Sequence, residues 1–121
     1  MATAYAAAWS SHKPESVAAF YEEDGRITIN KGDPVIGRAA FAETAAGFYQ
    51  DFPDLIVRMD EVRLSGNHAL FAWTLEGHHS QTANHVKVSG WEEWTLSDAP
   101  RVIESFGWFD AEDYQRQIDG A

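Results

Sequence analysis

The segment Ser89-Gly90-Trp91-Glu92-Glu93-Trp94 places two carboxylates between two tryptophans. In an extended strand successive side chains point to opposite faces, so Glu92 shares a face with Trp94 and Glu93 shares one with Trp91. A carboxylate held among aromatic rings can serve as a general acid or base, because burial disfavours its charge and raises its pKa. It can equally be a structural partner for an arginine or for backbone donors. Three histidines, His78, His79 and His85, are the other chemically capable side chains of this half. His78 and His79 are neighbours and point apart, and no second ligand pair stands at metal spacing, so no metal site is expected. Cysteine is absent, which removes disulfides, thiolate ligands and thiol nucleophiles. No phosphate loop, dinucleotide fingerprint or Ser-His-Asp ordering is present, and no cofactor is implied.

The elements that must position Glu92 are strands. Leu55–Leu64 is long and β-rich, and its apolar phase shifts between Met59 and Val62, which predicts a bulge near Asp60. Ser65-Gly66-Asn67 is a turn, and Ala69–His79, Val86–Leu96 and Arg101–Phe109 follow as strands. Strands joined by short loops pair antiparallel, and opposite residues then have a constant number sum. Loop centres give sums of about 165 and about 197, which set Phe71 opposite Trp94 and Glu92 opposite both Trp73 and Ser105. One face thus gathers Phe71, Trp73, Leu75, His79, Glu92, Trp94, Leu96, Ile103, Ser105 and Phe109. Gly90 and Gly107 form a neighbouring row without side chains. A carboxylate beside a space lined by aromatics suggests a small-molecule pocket. Ser105 and His79 are candidates to orient a substrate beside Glu92. The opposite face carries Trp91, Phe106 and Trp108, a set too apolar for an open surface and better suited to an interface.

The first half reads helical. Tyr5, Ala8, Trp9 and His12 follow helical spacing, and Pro14 suits the first turn of a second helix with Val17, Phe20 and Tyr21 on its stripe. Gly25 is a candidate stop, Arg26–Asn30 a short strand, and a third helix starts near Gly37 and ends before Pro53. Phe20, Tyr21, Phe48 and Tyr49 on these helices would close the pocket over Trp73, Trp94, Gly107 and Phe109. Asp110 is the expected N-cap of a last helix, with Asp113 three residues on. Helices followed by an antiparallel meander give an α+β class.

Composition bounds the function. The 121 residues carry 45% hydrophobic and 23% charged side chains, which suits a globular chain with a core. Nine basic residues against nineteen acidic ones leave a net charge of −10, and no basic run exists, so nucleic-acid and anionic-membrane partners are not expected. There is no apolar stretch of spanning length and no basic start of a signal peptide, which reads as a soluble, cytoplasmic protein.

Six segments occur in an order that resembles a known family: Tyr5-Ala-Ala-Ala-Trp9, Val17-Ala-Ala-Phe20-Tyr21-Glu-Glu-Asp24, Val35-Ile-Gly37-Arg38, Asp51-Phe-Pro53-Asp54, Phe71-Ala-Trp73-Thr-Leu75-Glu-Gly77 and Glu104-Ser-Phe-Gly-Trp-Phe-Asp110. The chain resembles SnoaL-like polyketide cyclases of the nuclear transport factor 2-like superfamily. That resemblance implies one domain over residues 1–121. Its fold would be a cone-shaped α+β barrel, a curved antiparallel sheet wrapped around three N-terminal helices, with a pocket inside and frequent dimerisation through the sheet. It also implies an acid/base aspartate on the last strand, in a pattern like Glu-His-Trp-Asp. Here Ser105 holds the histidine position and Gly107 the aspartate position, so the acid is missing there. Glu92, placed diagonally at roughly 5–7 Å by cross-strand geometry, could replace it. The expected activities are acid/base isomerisation, cyclisation or hydration of a hydrophobic substrate, non-catalytic binding of an apolar ligand, or an interaction module acting through the outer aromatic patch.

Overall fold

The computed structural model describes residues 1–120. Its elements are α1 (Ala2–Ser10), α2 (Pro14–Ala18), β1 (Tyr21–Ile29), β2 (Val35–Ile36), α3 (Arg38–Asp51), β3 (Ile56–Ser65), β4 (His68–His78), β5 (His85–Leu96), β6 (Val102–Phe109) and α4 (Ala111–Asp119). The strands form one curved sheet in the order β2-β1-β6-β5-β4-β3, with helices packed against it: an α+β cone. All neighbours pair antiparallel except β1 and β6, which run parallel. The antiparallel meander read from the sequence is therefore β3 to β6, and β1 joins it as a parallel addition from the N-terminal half.

Local chemistry sets the ends of several elements. Pro14 opens α2, where its missing N–H costs nothing. The Asp110 carboxylate accepts the backbone N–H of Asp113 at 3.0 Å and caps α4, as its sequence position predicts. The β3–β4 register shifts between Met59 and Glu61, so Asp60 is the bulged residue. Asp60 there accepts from the Thr74 hydroxyl at 2.5 Å.

The second helix is shorter than its periodicity suggests. It stops at Ala18, and Tyr21 is the first residue of β1 rather than the last of a helical stripe. Gly25 lies inside β1, not at a helix end. A Cβ there would stand 2.8 Å from the Val102 carbonyl oxygen, so the strand irregularity between Tyr21 and Arg26 depends on a residue with no side chain.

Both hairpins are displaced by two residues from the loop-centre expectation. Phe71 lies opposite Glu92, Trp94 opposite Ser105, and Glu92 opposite Gly107. A shift of two keeps every side chain on its expected face. Ile103 departs from this. A second bulge lies on β6: Thr95 pairs with Glu104 and Leu96 with Val102, which leaves Ile103 as the extra, unpaired residue. Val102 is then fully buried and Ile103 is exposed. The core is built on the concave face by Tyr5, Val17, Tyr21, Phe52, Leu55, Phe71, Val86 and Trp94.

Candidate functional site

Glu92 sits on the concave face of β5 and is buried, with Ser105 buried beside it on β6. Four side chains converge on its carboxylate. The Trp94 indole N–H donates to Oε1 at 2.9 Å, the Ser105 hydroxyl at 2.8 Å and the Tyr21 hydroxyl at 3.0 Å. The Tyr5 hydroxyl lies 3.3 Å from Oε1 and 3.2 Å from Oε2, and 3.2 Å from the Tyr21 hydroxyl. The strand period supplies Trp94, two residues along the same face, and the β5–β6 pairing supplies Ser105. Tyr5 comes from α1 and Tyr21 from the start of β1, which Arg38 ties to α3 by donating to the Tyr21 carbonyl at 2.8 Å.

The two carboxylate oxygens are not equivalent. An indole N–H can only donate, so Oε1 is an acceptor whatever the protonation state. With three donors around it, from Trp94, Ser105 and Tyr21, Oε1 has no room for a proton of its own. Among the described residues Oε2 has one hydrogen-bond partner, Tyr5, and is where a proton would be held. The tyrosine pair accommodates both states. With Glu92 ionised, Tyr5 donates to Oε2. With Glu92 neutral, Tyr5 can accept from Oε2–H and turn its own proton to Tyr21, which still donates to Oε1.

Burial pushes the Glu92 pKa above the ordinary carboxylate value, while the hydrogen bonds from Trp94, Ser105, Tyr21 and Tyr5 pull against it. Desolvation prevails because no cation is among the partners. Desolvation, and then the neighbouring Glu92 charge, raise the Tyr5 and Tyr21 hydroxyls well above their usual range, so both remain protonated donors.

Beside Glu92 the concave face leaves a cavity with about 70 Å³ of space for the centre of a water-sized sphere. Trp9, Phe41, Phe48, Trp73, Phe109 and Tyr114 supply aromatic walls, and Glu92 and Gly107 also line it. Gly107 is opposite Glu92, and a Cβ there would stand 3.7 Å from Glu92 Cγ, ordinary contact, so the glycine leaves real space. Gly90 does not, because a Cβ there would lie within 3 Å of both the Trp108 carbonyl oxygen and the Trp73 ring.

Of the residues read from the sequence as lining this space, Phe48, Trp73, Gly107 and Phe109 do so. Phe20, Tyr21, Tyr49 and Trp94 lie elsewhere. Phe20 packs edge-on against Tyr5, Trp94 stacks on Phe71 behind the carboxylate, and Tyr21 is a donor in the Glu92 network. The Tyr49 hydroxyl donates to the Trp9 carbonyl at 2.7 Å, and burial pushes its pKa up to about 12. Ser105 meets Glu92, but His79 does not. β4 ends at His78, and His79 begins the loop, where its Nδ1 accepts from the backbone of Gln81 and Thr82 and its ring meets Phe52. His78 and His85 pair with the Asp54 and Glu76 carboxylates instead. Tyr5, Trp9, Phe41 and Tyr114 are among the contributors that sequence reasoning did not place at the site. Tyr5 reaches Glu92 across 87 residues of chain, and no local pattern announces such a contact.

On the convex face Trp91 pairs with Trp108 across β5 and β6. Trp91 is 43% and Phe106 41% exposed, and the Trp108 indole donates to Glu93 at 2.9 Å. Among the described residues no group of histidine and carboxylate side chains could hold a metal ion, and no helix is long and apolar enough to cross a membrane.

Known structures share this fold. A protein with a ketosteroid isomerase-like fold from Catenulispora acidiphila, in complex with trimethylamine, aligns with a TM-score of 0.88 at 17% identity, over 97% of this chain and 90% of that one. TerC, co-crystallised with polyporic acid, gives 0.81 at 16% identity over 96% and 93%. The epoxide hydrolase/cyclase-like enzyme SalBIII, of pyran ring formation in salinomycin, gives 0.79 at 15% over 90% and 87%. No curated protein sequence matches the chain. The family model for the SnoaL-like domain matches residues 2–104, and the chain belongs to that family.

Proposed function

We propose that the chain acts as one domain that binds a small hydrophobic molecule in the concave cavity and that Glu92 is its acid/base group. The observation that carries this is a buried carboxylate with a raised pKa, lining an aromatic cavity and paired with no cation. General acid/base catalysis needs a group whose pKa lies closer to neutrality than an exposed glutamate's. Oε2 takes a proton from a carbon between a carbonyl and a carbon–carbon double bond, and the C–H electron pair moves into a conjugated dienolate. The same O–H returns the proton to the far carbon of the original double bond, which leaves the new double bond conjugated with the carbonyl. The balance is that of an isomerisation. Ser105, Trp94 and Tyr21 hold Oε1 and so aim Oε2; they are positioning residues. Likeness to a cyclase-like enzyme and to proteins bound to polyporic acid and trimethylamine supports a small-ligand reading.

The test is deuterium exchange at the α-carbons of a panel of small cyclic ketones, followed by NMR. Wild type should exchange at least one of them faster than Glu92→Gln by about 10²-fold or more. Equal rates across the panel, with binding retained, would leave a binding module without proton transfer.

The exposed Trp91, Phe106 and partly covered Trp108 support assembly as a homodimer through the convex face, since aromatics dominate interface centres. Trp91→Ser combined with Phe106→Ser should lower the mass in light scattering to that of a monomer. A dimer of unchanged mass would place the interface elsewhere.

A further inference from the structure

The Glu92 network can solvate an anion and lacks a counter-charge. Trp94 can only donate to it, and Ser105, Tyr21 and Tyr5 are within donating distance. Yet among the described residues no lysine or arginine lines the cavity, and Glu92 is the one carboxylate that does. Buried charges are normally paired, so a site that solvates an anion and supplies no cation has its positive partner to come.

The walls have the matching chemistry. Trp9 meets Phe48 at 81° and Phe41 at 63°, and Trp73 meets Phe109 at 59°. Phe109 meets Tyr114 at 75°. Rings set at steep angles to one another form a box, not a stack, and a box offers ring faces from several directions. An alkylated ammonium within about 6 Å of ring centroids is attracted by their quadrupoles, and more strongly where water is scarce. A net charge of −10 favours the approach of a cation over that of an anion.

We propose that this cavity takes a small alkylated ammonium, its charge held between the Glu92 carboxylate and the aromatic box of Trp9, Phe48 and Trp73. The inference rests on the reading of the cavity as a ligand site and is independent of proton transfer there.

Choline and 3,3-dimethylbutan-1-ol have the same shape and differ by a charged nitrogen in place of a carbon. Their binding is to be measured by calorimetry and by the fluorescence of Trp9 and Trp73. Wild type should bind choline at least about tenfold more tightly than the alcohol. In Glu92→Gln the two affinities should converge. Phe48→Leu keeps the wall apolar and removes one ring; it should weaken choline several-fold and leave the alcohol within about twofold. That variant carries the test if Glu92→Gln does not fold. Equal binding of both compounds to wild type would overturn the cation and leave an apolar ligand site. Failure of both to bind at millimolar concentration would overturn the cation and the ligand-site reading together.

Discussion

Glu92 and Glu93 are consecutive residues of the same type on the same strand, and they have almost nothing else in common. Glu92 faces the concave side, is buried and receives hydrogen bonds from four side chains. Glu93 faces the convex side, is exposed and accepts one from Trp108. The tryptophans divide the same way: Trp94 is buried against Phe71 and bound to Glu92, while Trp91 lies open beside Trp108. One residue of strand period separates a buried carboxylate in a donor network from an exposed one. Chemical capacity here comes from desolvation and from the donor set, not from residue type.

The comparison breaks most sharply through exchange chemistry. Glu92→Gln should lower deuterium exchange on an accepted ketone by about 10²-fold or more, and Glu93→Gln should leave it unchanged. Equal losses would mean that proton transfer does not belong to the concave face. Gly107→Leu should fill the space opposite Glu92 and abolish ligand binding, at a stability cost of about 1–3 kcal/mol from overpacking. Retained binding would separate the ligand site from this cavity. Tyr5→Phe removes the hydrogen-bond partner of Oε2 and should destabilise by about 1 kcal/mol while moving the Glu92 pKa further upward. A downward shift in a carboxyl titration would contradict the donor role of Tyr5.

Thermal melts of Glu92→Gln sharpen the contrast further. A carboxyl whose folded pKa is raised holds its proton in the folded state at a pH where the unfolded chain has lost it. Its charge therefore costs stability as pH rises from the ordinary carboxylate value through the raised one. Glutamine has no charge, and its oxygen can take the three donors of Oε1, Trp94, Ser105 and Tyr21, while its amide donates to Tyr5. The variant should melt at or above wild type at pH 8, with the difference closing in acid. A variant several degrees less stable at pH 8 would instead mean a structural anion. Glu93→Gln is the smallest effect, within about ±0.5 kcal/mol.

The concave face was legible in the sequence because alternation survives a slip of two. Phe71, Trp73, Glu92, Trp94, Ser105 and Phe109 keep their side although both hairpins pair two residues away from their loop centres. The Asp60 bulge and the Asp110 cap were legible too, since each is a local event: a break in apolar phase and a carboxylate three residues before an N–H. Ile103 was not, because Val102 and Ile103 are adjacent apolar residues at the start of β6 and either fits the inner phase; the bulge at Ile103 turns Val102 inward instead. His79 was not, because β4 stops one residue early and the side chain braces a loop. Tyr21 read as helix because its stripe with Val17 fits both periods for a few residues. The parallel β1–β6 pairing that moves it under Glu92 is a long-range event. The same holds for Tyr5, whose hydroxyl completes the site from the opposite end of the chain.

The central claim is that Glu92 is a buried acid without a counter-charge. The direct measurement is its carboxyl titration in the wild-type protein, by carbon-13 NMR with Glu92→Gln to assign the resonance. The expected midpoint lies above the ordinary glutamate value of about 4.3. A midpoint at or below that value would show a carboxylate stabilised as an anion and would contradict the claim.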